Sequence, residues 1–190
     1  MLQLGFHLSP IQSGLITFTS AVGAFTMKAF AGRIIRRLGF RKLLIFNGLI
    51  SSAFTAACAT FTPATPFAIM IGVLLIGGFF RSLQFTATNT IAYADVEPQR
   101  MSRATSLVSV VQQLSLSAGV AVGAAAVELT MQMRGGDAIT AGDFAPAFLT
   151  VAAVSAASVL VFAALPKDAG AELARDAPTT AAETSDQRVG

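Results

Sequence analysis

Charge is scarce in this chain. Of its 190 residues only 12% are Asp, Glu, Lys or Arg, against about 25% in an ordinary soluble domain. Cysteine occurs once, at Cys58, histidine once, at His7, and tryptophan not at all. A lone cysteine in an apolar run excludes a disulfide framework, and no Cys/His spacing suits a metal. Carboxylates are rarest where proton chemistry would need them. The ten are Asp95, Glu97, Glu128, Asp137, Asp143 and five beyond residue 166. Only Glu128 falls within an apolar run, near its end. A proton relay needs a carboxylate or His well inside a membrane, so no self-contained proton-coupling site is present. His7, in a terminal loop, reads as a solvated residue. No Ser/His/Asp set, phosphate-cradling glycine loop or paired catalytic carboxylates appear, so no enzyme is read here and no cofactor or metal is expected.

What is present is apolar. Hydrophobic residues make up 54% of the chain and the mean hydropathy is +0.67. Five windows approach the ~20 apolar residues that cross a bilayer. The pattern predicts an all-α polytopic transmembrane helix bundle of five spans, with the lipid bilayer as solvent. The expected bounds are 11–31, 43–61, 67–93, 104–131 and 144–165. A loop over residues 1–10 precedes them. The tail, 166–190, is rich in Ala, Thr and acids and is expected to be disordered. Ser9 and Pro10 supply an N-cap and a first helical residue. Lys28 is expected in the last turn of the first span, where a long amine can snorkel. Pro63 and Pro66 punctuate the turn between the second and third spans.

Residues 33–42 read R-I-I-R-R-L-G-F-R-K, with five of the thirteen cations and no acid. Between two membrane-length runs such a loop marks topology. Counting Lys and Arg beside the spans gives seven on the side of this loop and one, Arg134, on the other. That bias predicts a cytoplasmic basic loop and tail and an outside N-terminus. An outside N-terminus without a signal peptide carries the further expectation of at least one span before Met1. The basic residues flank spans and have no interleaved aromatic platform, so no nucleic-acid partner is expected.

Helices inside a bilayer associate through close approach and polar contacts. Ser115, Gly119 and Gly123 form a small-residue stripe on the fourth span. Ser20, Gly23 and Ala24 on the first and Gly72, Gly77 and Gly78 on the third offer others. Arg81 lies near the middle of the third span, with Gln84 and Thr88 expected on its face. Facing lipid, it would cost at least ~2.5 kcal/mol. Three readings stand: a cavity-lining, substrate-related stripe, a structural Arg bonded to backbone carbonyls, or one close enough to an interface to snorkel. Asn89, Gln112 and Gln113 carry the same choice between a transport path and interhelical bonds.

The run Gly32-x-x-x-Arg36-Arg37-x-Gly39-x-Arg41-Lys42 resembles the signature loop of the major facilitator superfamily. That loop joins spans 2 and 3 and recurs, degenerated, between spans 8 and 9. Arg36 stands where the motif has an acid, which fits the degenerate second copy. Residues 8–14, 81–86 and 106–114, followed by Gly119 and Gly123, resemble the C-terminal part of the drug:proton antiporters, including the fourteen-span members. The resemblance covers residues 5–165. It implies the last five spans of a longer efflux transporter for small, apolar or cationic drug-like compounds. A missing N-terminal half, and the first span of its own half, would complete the central cavity. The family's proton-coupling acids lie mostly in that missing part. In this reading Gly32, Arg36, Arg37, Gly39, Arg41 and Lys42 form a cytoplasmic gating loop in the inner membrane. The rival reading is a five-span assembly protein that transports nothing itself.

Overall fold

The computed structural model describes residues 1–170 except Leu4, His7, Asp95, Asp137, Lys167 and Asp168. The expectations for His7 and for most of the tail therefore lie outside the described residues. Five α-helices follow one another: α1 Pro10–Leu38, α2 Phe40–Ala57, α3 Phe67–Ala92, α4 Met101–Met133 and α5 Phe144–Ala163. All five are long and apolar enough to cross a membrane, and no strand occurs among the described residues. The protein is an all-α, polytopic integral membrane protein.

Local signals explain the ends. Ser9 caps α1 in a reciprocal box: its Oγ accepts from Gln12 N–H at 3.3 Å, and Gln12 Oε1 accepts from Ser9 N–H at 3.1 Å. Pro10 then takes the first helical position, where its missing N–H costs nothing. At the other end α1 runs past the expected limit. Residues 33–38 are helical, so the ten-residue basic loop is corrected to a helix–corner–helix. The corner is Gly39 alone, at φ +71°, a left-handed backbone that glycine adopts without a Cβ penalty. The reason is composition: Arg, Ile and Leu form helix readily, and nothing before Gly39 breaks it. Lys28 accordingly sits well inside α1, not in its last turn. Its Nζ lies 6.0 Å from the centroid of the Phe25 ring.

The helices pack in the spatial order α1–α3–α2–α5–α4, each chiefly against its neighbours in that series. Two apolar cores sit at opposite ends. One joins Met27, Ala31 and Ile35 of α1 to Phe40, Leu43 and Leu44 of α2 and Leu83 and Ala87 of α3. The other joins Ile16, Cys58, Phe61 and Met70, and the N-terminal Leu2, Phe6 and Leu8 fold onto it. The first end holds the basic corner and the α5 C-terminus. The second holds the α2–α3 and α4–α5 turns.

The tightest crossing is α1 on α3. A Cβ at Gly78 would run into the Ser20 carbonyl and lie 2.6 Å from Ser20 Oγ, and one at Gly23 would run into the Leu75 carbonyl. Ser82 Oγ donates to the Ala24 carbonyl across the same seam, at 3.1 Å. Of the α3 glycines only Gly78 enters this seam; Gly77 faces Phe54 of α2, and a Cβ at Gly72 meets nothing within 4 Å. Among the described residues the Ser115–Gly119–Gly123 stripe of α4 has no close neighbour at its glycines: a Cβ at Gly119 or Gly123 finds nothing within 4 Å.

An ion pair holds the α4–α5 turn. Arg134 donates to both oxygens of Asp143, Nε–Oδ1 at 3.1 Å and Nη2–Oδ2 at 2.9 Å, and Nη2 also donates to the Ala138 carbonyl. Thr140 adds its N–H and hydroxyl to Oδ2. Asp143 lies just ahead of α5 and is 1% exposed. The Arg134 guanidinium, then the Thr140 N–H, hold its carboxyl down at about 2. A depressed carboxyl pKa contributes stability above its unfolded value near ~4, and that stability is lost as pH falls through about 2. Thermal melts followed by circular dichroism should show it. Asp143→Asn should lower the midpoint at pH 7 and close most of the gap to the parent near pH 2. Parallel curves for the two proteins would remove Asp143 from the account.

Candidate functional site

The second half of α3 is polar from Arg81 to Thr90, and the helix sends these side chains three ways. Toward α1 goes Ser82. Toward α2 goes Gln84. Asn47, on α2 and 3% exposed, donates through Nδ2 to Gln84 Oε1 and to the Phe80 carbonyl, both at 2.8 Å. Gln84 Nε2 returns a bond to the Leu44 carbonyl at 3.3 Å. Gly48 leaves room for the amide, with Gln84 Nε2 3.5 Å from where a Cβ would stand. Phe54 and Phe80 stack beside the pair, centroids 5.8 Å apart. Gln84 is therefore an interhelical clasp. Asn47 is the partner that sequence reading missed, although a lone Asn inside an apolar span is a recognisable sign of such a bond.

The third direction is open. Arg81, Phe85 and Thr88 recur at i, i+4 and i+7 and are all exposed along one face of α3. Arg81 makes no hydrogen bond or ion pair with any described residue. Of the readings for it, bonding to backbone carbonyls finds no such bond among the described residues. Gln84, expected on the same face, is turned away into α2. Asn89 is half-buried and back-bonds to the Phe85 carbonyl of its own helix at 2.8 Å. On α4, Gln112 is half-buried and Gln113 exposed, and neither is bonded within the described residues. Ser115 back-bonds to the Val111 carbonyl at 2.8 Å.

α4 itself carries no fully buried residue. Leu107, Leu114 and Val120 are 65%, 66% and 74% exposed. Thus α3 and α4 each present an unpartnered face, one with a mid-span cation and one with glycines and glutamines.

At the basic corner the predicted residues divide. Gly32 is half-buried, with nothing within 4 Å of where a Cβ would stand. Arg36, Arg37 and Lys42 are exposed, whereas Arg41 is half-buried. Arg41 Nη2 donates to the Ala163 carbonyl at 2.8 Å, placing a cation on the C-terminal end of α5, where the helix dipole favours it. The corner is thereby tied to the last span. That link joins residues far apart in sequence, and no local signal announces it.

Known proteins share this architecture's sequence pattern. A family model described as Major Facilitator Superfamily matches residues 1–187. Three bacterial relatives carry the provisional name multidrug resistance protein MdtD. One from Klebsiella pneumoniae is 31% identical over 176 residues, one from Escherichia coli 28% over 169, and one from Cronobacter sakazakii 29% over 171. The matches cover 89%, 88% and 88% of this chain but 36% of each relative. The chain thus spans about a third of the length of the curated relatives it matches. No solved structure matches. With five spanning helices, the interlocked α1–α3 seam and a family match over nearly its whole length, this chain belongs to the major facilitator superfamily.

Proposed function

We propose that this chain forms the last five spans of a secondary active exporter of small, apolar or cationic drug-like compounds in the bacterial inner membrane. The observation that carries the reading is Arg81, a mid-span cation with no hydrogen bond or ion pair among the described residues. A charge there is tolerated when it faces a polar cavity or another part of the protein. The open face of α3 supplies one wall of such a cavity, with Asn89 near its inner end. The bare face of α4, with Gln112 and Gln113, supplies a second. The Ser115–Gly119–Gly123 stripe gives a further helix a close seat. Completing helices from the rest of a longer transporter would close the cavity. Alternating access then rocks the two bundles about it. Coupling to protons requires a carboxylate well inside the membrane, and the one in these helices, Glu128, lies near the end of α4, so the completing half would supply it. The names of the relatives support drug efflux as the task.

The basic corner faces the cytoplasm in this proposal, on the Lys/Arg count. Residues 32–42 act there as a gate element, with Arg41 linking its movement to α5. One set of vesicles tests both points. Energised vesicles holding the whole transporter should expel a cationic dye, and vesicles holding only this chain should not. In a Cys58→Ala background, a membrane-impermeant thiol reagent should reach Ala64→Cys from outside intact cells and Arg37→Cys only in inverted vesicles. Efflux by this chain alone, or the reverse labelling, would overturn the assignment.

A further inference from the structure

We propose that the corner between α1 and α2 binds the phosphate headgroup of an anionic phospholipid. The corner is rich in cations and poor in acids. No Asp or Glu occurs in the first 94 residues, and among the described residues at this end of the bundle the acid, Glu97, is already engaged by Arg100 at 3.3 Å. Arg33, Arg37 and Lys42 are exposed, and none has an acceptor among the described residues.

Three features turn this patch into a seat. A recess of about 470 Å³ is lined by Leu38, Gly39, Arg41 and Lys42. Arg41 uses Nη2 on the Ala163 carbonyl, while its shielded Nε has no acceptor. The α2 N-terminus opens at the same place with Gly39 as its cap, no side-chain cap bond and no acid in the first turn. Its leading N–H groups and dipole favour an anion there. A cation-rich wall and an uncapped helix end thus converge on one concavity.

The surroundings select a lipid over a soluble anion. Lys42, Phe46 and Leu49 follow at i, i+4 and i+7 along the outward face of α2. Phe46 is 64% and Leu49 48% exposed, and Leu38 at the rim is 50% exposed. A headgroup in the recess would lay its acyl chains along that apolar strip. Basic recesses at the cytoplasmic ends of spans suit acidic lipids on these grounds.

Native mass spectrometry of the detergent-solubilised chain, offered equal phosphatidylglycerol and phosphatidylcholine, tests the site without requiring transport. The chain should retain phosphatidylglycerol preferentially. Lys42→Gln, at an exposed side chain with no bonds to lose, should weaken that retention about fivefold. Arg100→Gln removes the same charge at the same end of the bundle and should change it little. Excess inorganic phosphate should not displace the lipid. Equal retention of the two lipids, equal weakening by the two variants, or full displacement by phosphate would each overturn the proposal.

Discussion

Placing an alanine at Gly78 or Gly23 should destabilise this protein sharply, although alanine is the better helix former. In an unconstrained helix Gly→Ala gains about 1 kcal/mol. Here the new methyl has no space. At Gly78 it would run into the Ser20 carbonyl, with Ser20 C at 2.9 Å, and at Gly23 into the Leu75 carbonyl, with Phe79 N at 3.1 Å. These obstacles are backbone atoms, so no rotamer change relieves them. The helices must part, and a gap of roughly 0.5–1 Å already forfeits a quarter to a half of each dispersion contact along the seam. The Ser82–Ala24 bond across it lengthens too. Overpacking of this kind costs about 1–3 kcal/mol, enough to reverse the helix-propensity gain. Gly72 supplies the control, because a Cβ there meets nothing within 4 Å. Cys58, buried and the only cysteine, reports unfolding through a fluorogenic maleimide. Gly78→Ala and Gly23→Ala should lower the labelling midpoint, and Gly72→Ala should hold or raise it. A rise for all three would mean that the α1–α3 seam is looser than described.

The spans are legible in the sequence because length and apolarity alone define them: the window 67–93 becomes α3, Phe67–Ala92, and 144–165 becomes α5, Phe144–Ala163. The basic corner is less legible for a physical reason. Charge ends the apolar stretch but not the helix. Arg33 to Leu38 lie past the apolar stretch and remain helical until Gly39 permits the turn. Partner choice is harder still to read. Small-residue stripes are visible on α1, α3 and α4, but a stripe does not name what it meets. Gly23 and Gly78 lie at one crossing, while a Cβ at Gly119 or Gly123 meets nothing within 4 Å among the described residues. Asn47 and Gln84 illustrate the same limit. Each is a polar residue in an apolar run, yet their pairing depends on the register of α2 against α3, and that register is set by packing across the whole helix pair. Gln84 and Arg81 lie three residues apart, close enough on a helical wheel to share a face, and the curvature of that face still sends one inward and the other out.

Replacing Arg81 by leucine should separate stability from function. If Arg81 were a structural tie, its loss would weaken the fold. It makes no hydrogen bond or ion pair with any described residue, so no such bond within them is lost on its removal. A mid-span arginine facing lipid also carries a penalty of at least ~2.5 kcal/mol, which leucine would relieve. Arg81→Leu should therefore leave the midpoint of Cys58 labelling unchanged or raise it in the isolated chain. In the whole transporter the outcome should reverse. In the proposed transporter the guanidinium would meet a cavity or the completing helices, where a charge-assisted hydrogen bond contributes ~1.5–3 kcal/mol. At about 1.4 kcal/mol per decade that is a ten- to hundredfold fall in dye efflux at an unchanged level of protein in the membrane. Arg81→Lys keeps the charge but not the planar fork, and should recover part of the rate where charge alone matters. Asn47→Leu makes the opposite pattern. It leaves Gln84 short of a donor inside the bundle, so it should lower the midpoint by the ~0.6–2 kcal/mol of an interhelical bond and reduce efflux only through the amount of folded protein. Full efflux from Arg81→Leu would remove the residue from the transport path, and a lowered midpoint in the isolated chain would return it to the scaffold.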